Sequence, residues 1–227
     1  MATHNAKPVS IDVDAGRRVS GLLQRPTKAR CCYVLAHGAG AGMNHPFMAV
    51  VADELAERGI ATLRYQFPYM EQGGRRPDPP TLAQATVRAA VAKAAKLASG
   101  VPLIAGGKSF GGRMTSQAQA SAPLDGVRGL VFLGFPLHAA GKPSNDRAKH
   151  LADVKVPMLF LQGTRDSLAD LAMLKPVVKG LGKRATLCLF DEADHSFHVP
   201  ARTGRKDAEV RGEVLDALAK WAKRVAA

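Results

Sequence analysis

Three residues of this chain carry the types and spacing for nucleophilic chemistry: Ser109, Asp166 and His195. Ser109 lies in Gly107-Lys108-Ser109-Phe110-Gly111, between a strand-like run, Pro102–Ala105, and a helix-like run, Phe110–Ala120. Small residues two before and two after the serine let a strand and a helix pass closely around a sharp turn. The hydroxyl then projects from a strained backbone near the positive end of the helix dipole. A neutral alcohol is a poor nucleophile, so a base must take its proton, and a carboxylate must fix the tautomer of that base. His195 and Asp166 suit those roles. Asp166 follows the apolar run Val156–Leu161 and His195 follows Ala185–Phe190, so each lies just past a strand. Side chains beyond the carboxyl ends of parallel strands converge on one crevice.

Competing readings of the same residues can be weighed. Gly107-Lys108-Ser109 also ends a phosphate-binding loop, but the glycine that loop needs five residues earlier is Pro102. The run Gly129–Leu133 also ends without an Asp for magnesium. Asp191 and Asp194 sit too close to His195 to curl back under its ring, and Asp170 falls at a helix. Asp194 is read as shaping the histidine loop, and His198 as a surface histidine or a substrate contact. Charge developing on a carbonyl oxygen needs donors already in place. The backbone N–H of Phe110 is one candidate. The other comes from His37-Gly38-Ala39-Gly40-Ala41-Gly42, with Ala39 favoured and Gly38 or Gly40 as substitutes. His37 is read as bracing that turn.

The elements that must position these groups alternate along the chain. Val9–Val13 and Val19–Leu23 read as a hairpin, Cys31–Ala36 as a buried strand and Pro46–Arg58 as an amphipathic helix stopped at Gly59. Ala61–Tyr65 is a strand and Gln66–Pro80 a loop, closed by the capping-box pattern Thr81-Leu82-Ala83-Gln84 ahead of an Ala-rich helix reaching Ala98. Later strands at Gly129–Leu133, Val156–Leu161 and Ala185–Phe190 accompany helices at Leu168–Lys179 and Arg205–Val225. In the last helix Val210, Val214, Leu218, Trp221 and Val225 make one apolar stripe. Short apolar strands separated by helices predict an α/β fold with a mostly parallel sheet covered on both faces, as one domain over residues 1–227.

Composition narrows the classes. The 227 residues carry a net charge of +13, are 46% hydrophobic and contain three cysteines. The charge divides as +6 over residues 1–100 and +7 over 101–227, without a basic tail, and aromatics are only 5%. That pattern argues general surface basicity and no specific nucleic-acid binding. No stretch is long and apolar enough for a membrane span, and the N-terminal run lacks an apolar signal region. Neither a disulfide framework nor a zinc spacing emerges, so the expected compartment is the cytoplasm.

These residues resemble the α/β-hydrolase superfamily from about residue 30 onward. His37-Gly38-Ala39-Gly40, Asn44-His45-Pro46, Arg64–Tyr69, Gly107–Arg113, Gly134–His138 and Gln162–Asp166 are similar to one small, lidless branch. It includes bacterial dienelactone-hydrolase-like proteins and the testis-expressed and non-specific-lethal-complex hydrolase-like proteins. The resemblance implies an eight-stranded sheet and a Ser-Asp-His triad. Dienelactone hydrolase proper uses a cysteine where this chain has Ser109.

Only about two dozen residues separate Leu133 from Val156, too few for a large helical lid. The reading is therefore a serine hydrolase of small esters or thioesters, needing no metal or organic cofactor and acting on a small-molecule ester. The alternative is a non-catalytic binding or scaffold protein on the same fold. Arg75, Arg76, Phe135 and His138 are candidate substrate contacts, and Lys108 and Arg113 flank the nucleophile. An arginine pocket would favour a carboxylate- or phosphate-bearing ester. The sequence leaves the oligomeric state open.

Overall fold

A computed structural model describes residues 5–226. The first four residues, where the N-terminal reading begins, and Ala227 lie outside them. The elements run β1 (Lys7–Asp14), β2 (Arg17–Gln24), β3 (Cys31–Ala36), α1 (Pro46–Glu57), β4 (Ile60–Tyr65), α2 (Pro68–Glu71) and α3 (Pro80–Leu97). Then follow β5 (Leu103–Lys108), α4 (Phe110–Ser121), β6 (Val127–Leu133), β7 (Met158–Gly163), α5 (Leu171–Gly180), β8 (Ala185–Phe190) and α6 (Asp207–Ala226).

All eight strands join one sheet in the order β1-β2-β4-β3-β5-β6-β7-β8. β1 and β2 pair antiparallel, β2 pairs antiparallel with β4, and every other pairing is parallel. β3 and β4 are buried at every residue; β3 accordingly reads as a continuous apolar run, whereas β4 also buries Thr62 and Arg64.

The adjacent cysteines of β3 point to opposite faces, as a two-residue period requires. Cys32 joins the cluster containing Ala90, Met114 and Phe132 of one face. Cys31 joins Leu55, Val214 and Trp221 of the other. α6 covers the second face with Val210, Val214, Leu218 and Trp221 buried, the stripe expected from its spacing.

Two local expectations need correction. The loop after β4 contains the short helix α2, opened by Pro68 at its first turn. α3 does not begin with a capping box at Thr81. It starts at Pro80 with Pro79 at the cap and no side-chain cap hydrogen bond. A proline fits the first helical position because the N–H it lacks would have no intrahelical partner, and here that preference sets the start.

Candidate active site

The serine turn is built by close packing against β3. Ser109 has φ 50° and ψ −115°, a left-handed conformation rare for a residue with a side chain. A Cβ on Gly107 would come within 2.2 Å of the Ala36 carbonyl oxygen, and one on Gly111 within 2.6 Å of the His37 carbonyl oxygen. Both positions therefore exclude any side chain, and the two glycines let β5 and α4 cross the end of β3. Ser109 caps α4 without side-chain hydrogen bonding to it, which leaves the hydroxyl uncommitted at the helix start.

His195 comes from the loop after β8. Its Nδ1 lies 2.6 Å from Asp166 Oδ2. Asp166, 5% exposed, is held on three sides. It accepts from His195, from Leu168 N at 2.8 Å and from Gln162 Nε2 at 2.5 Å. Burial alone would raise its carboxyl; the His195 bond and charge, the Leu168 N–H and the Lys108 charge outweigh that and hold it below the usual range. Because Asp166 is an ionised acceptor, the His195 proton sits on Nδ1, leaving Nε2 as the acceptor. Nε2 is buried and makes no hydrogen bond. Ser109 and His195 share a cavity but are not hydrogen-bonded to each other.

Gln162 is a residue that sequence reasoning missed. It is the penultimate residue of β7, fully buried, and it accepts the Phe135 N–H at 2.9 Å and donates to Asp166. Its one sequence signal is a polar residue near the end of an apolar strand, four residues before Asp166. Lys108 proves equally engaged. Its Nζ donates to the His195 carbonyl at 2.6 Å and lies 5.9 Å from the Phe197 ring centroid. Burial pushes its ammonium down to about 8, against the opposing pull of Asp166 and Asp194.

The loop after β3 is braced as expected. His37 is fully buried; Nε2 accepts the Phe67 N–H at 3.1 Å, so Nδ1 carries the proton and donates to the Gly38 carbonyl at 2.7 Å. Burial lowers its pKa to about 4, although the Gly38 bond works the other way, and it is neutral at pH 7. The Gly40 N–H is committed to the Tyr69 hydroxyl at 2.9 Å, which removes Gly40 from the candidate oxyanion donors. Ala39 and Phe110 both border Ser109, and Phe110, as the first residue of α4, has no intrahelical partner for its N–H.

Asp194 shapes the histidine loop, its Oδ1 accepting from Ser196 N at 2.7 Å and His198 N at 2.9 Å. Asp170 caps α5 through Ala172 N. His198 is an exposed partner of Asp207.

Two cavities meet at Ser109. One, of about 390 Å³, is lined by Ala41, Phe47, Met48, Lys108, Ser109 and His195 among others. The other, of about 370 Å³, is lined by Asp78, Ser109, Phe110, Arg113, Pro136 and Arg147 among others. Ala39 and Leu168 border both.

The expected substrate contacts fall elsewhere. Phe135 is fully buried against Phe132 and Phe160. His138 is 5% exposed, with Nδ1 bonded to the Ala139 carbonyl and Nε2 accepting the Asp170 N–H. Arg75 and Arg76 are exposed; Arg76 lines a groove with Pro77–Pro80 that does not include Ser109. Among the described residues no His, Cys, Asp and Glu cluster suits a metal ion, and no helix is long and apolar enough to cross a membrane.

Residues 29–223 match the model of a family described as alpha/beta hydrolase domain. The fold is shared with several solved structures. A dienelactone hydrolase from Anabaena variabilis superposes with a TM-score of 0.74 at 23% identity, covering 97% of this chain and 96% of that one. An α/β serine hydrolase homologue from Coxiella burnetii gives 0.74 at 19%, covering 96% and 100%. A serine hydrolase without a lid from Xanthomonas campestris gives 0.72 at 20%, covering 97% and 96%.

Proposed function

As a member of the alpha/beta hydrolase domain family, this chain is, we propose, a serine hydrolase that cleaves small esters or thioesters through an acyl-enzyme. The observation that carries the reading is the Asp166–His195 pair at 2.6 Å, whose free Nε2 belongs to a side chain lining the same cavity as the strained Ser109.

In this reading Ser109 Oγ bonds to the substrate carbonyl carbon while its proton passes to His195 Nε2. Asp166 stabilises the imidazolium, and the N–H groups of Ala39 and Phe110 receive the oxyanion. Collapse breaks the bond to the alcohol or thiol, which leaves with the proton held by His195. Water then gives a proton to His195, attacks the acyl carbon and releases the acid, and the proton returns to Ser109. The absent Ser109–His195 hydrogen bond is compatible with this reading, because catalytic hydrogen bonds often tighten only in the Michaelis complex. The span between β6 and β7, too short for a large lid, suits short acyl groups, and the cysteine usage suits a cytoplasmic setting.

The same absent bond favours a second reading, a binding protein with an idle triad. Turnover separates the two. Short-chain aryl esters should be hydrolysed by the wild type, with Ser109→Ala losing at least about 10³-fold in kcat. Equal rates for both proteins contradict the proposal.

A further inference from the structure

The second Ser109 cavity, which His195 does not line, carries charge that no described carboxylate pairs. Arg113 stands in the first turn of α4, its backbone N–H bonded to the Ser109 carbonyl at 3.1 Å. Arg147 comes from the short 3₁₀ segment Asp146–Asp153, which packs on α4 and is tied to it by the Ser116 Oγ to His150 Nε2 hydrogen bond at 2.8 Å. Both guanidiniums are half-buried and both line the cavity. Among the described residues neither has a carboxylate within 4.0 Å. Arg113 Nε is buried without a hydrogen-bond partner, and its guanidinium lies 5.9 Å from the centroid of the Phe110 ring.

Two like charges, one with a buried unfilled donor, are costly beside each other, and among the described residues no carboxylate pairs with either to offset that cost. Asp78, the third charged residue of this cavity, accepts the Tyr69 N–H at 3.2 Å and forms an ion pair with neither arginine. The cavity keeps an excess positive charge. A carboxylate fits it, since guanidinium donors match carboxylate oxygens in pairs.

The geometry also assigns the arm of the substrate. His195 must protonate the departing oxygen or sulfur, and His195 lines the first cavity but not the second. The leaving group therefore lies in the first cavity and the acyl chain in the second. We propose that Arg113 and Arg147 form an anion subsite for the far end of the acyl chain, making the substrates monoesters of short dicarboxylic acids. This deepens the hydrolase reading and rests on it for the direction of the substrate.

The test compares p-nitrophenyl hemiglutarate with p-nitrophenyl valerate, which share a five-carbon acyl chain and differ by the terminal carboxylate. Wild type should favour the anionic ester by about 10–100-fold in kcat/KM, mostly through KM. Arg113→Gln and Arg147→Gln should each cut that preference by about 10-fold, and Arg113→Lys by less. Arg75→Gln, exposed and outside both cavities, should leave the preference unchanged. A wild type that prefers valerate, or arginine variants that slow both esters equally, overturns the subsite. Calorimetric titration of Ser109→Ala with glutarate keeps the two readings apart, because it needs no chemistry. Binding lost in Arg113→Gln supports the subsite even if no ester is turned over. No binding, with valerate ester still hydrolysed, overturns the subsite and leaves the hydrolase.

Discussion

Lys108 Nζ reaches the backbone carbonyl of His195 at 2.6 Å, so the residue immediately before Ser109 holds the loop that carries His195. One side chain thereby links the end of β5 to the loop after β8 across the crevice. The cost is a buried ammonium, pushed down to about 8 chiefly by desolvation. Lys108→Met should loosen the His195 loop and lower kcat by about 10-fold with little change in KM. The stability effect has a definite sign. The native pKa lies below the unfolded value, so between about pH 8 and 10.5 the unfolded chain binds more protons and stability rises with pH. Urea unfolding at pH 7.5 and 10 should show that rise in wild type and lose it in Lys108→Met; an identical pH dependence in both contradicts this account of Lys108.

Asp166 and Asp194 flank His195 with separable duties. Asp166→Asn should reduce turnover by about 10²–10⁴-fold, because the amide favours the wrong imidazole tautomer. Asp194→Asn should act through the loop it organises, costing about 1 kcal/mol of stability and far less activity. Kinetics and urea midpoints of the two variants decide the assignment, and a reversed ranking in turnover would give the acid's role to Asp194.

Gly111→Ala tests the packing that strains Ser109. The added Cβ meets Ala36 Cβ and the His37 carbonyl oxygen at 2.6 Å, a methyl and a backbone atom that cannot swing aside. Loss of about 2–4 kcal/mol is expected, together with loss of activity. Gly16→Ala, with nothing within 4 Å of its added Cβ, serves as the comparison and should change thermal stability little.

His37 makes stability fall on acidification. Its native pKa of about 4 lies below the ordinary value of 6.5, so its contribution is complete above 6.5 and is lost as pH drops towards 4. The ceiling on that contribution is about 3 kcal/mol. His150, lowered to about 4 by burial and by the Arg113 charge, adds a loss in the same window. Urea midpoints at pH 6.5 and 4.5 should drop in wild type and less steeply in His37→Gln. A midpoint independent of pH in this range would show that neither histidine is held neutral by the fold.

The legible parts of the site share one property: they lie at strand ends and in local spacing. Ser109, Asp166 and His195 stand out in the sequence because each lies a few residues past an apolar run, and Gly107 and Gly111 because the turn itself demands them. Gln162 was missed because its partners depend on β6 lying beside β7, which brings the Phe135 N–H to its side chain. Arg147 carries no local signal at all, since a 3₁₀ segment packed on α4 brings it to the Ser109 cavity. Arg75 and Arg76 drew attention as a pair in a long loop, yet nothing packs them inward. His138 looked available, but its two ring nitrogens are both spent on backbone groups. At the start of α3 the Pro79-Pro80 pair prevails over the Thr81 pattern, because a proline fixes φ whereas a capping side chain only adds a hydrogen bond.

The central claim is that Ser109 is an activated nucleophile, and a fluorophosphonate probe tests it without any knowledge of the substrate. Intact mass after incubation should show near-stoichiometric addition of one probe to wild type and none to Ser109→Ala. A folded wild type that stays unlabelled would contradict the account and point to a site that binds without reacting.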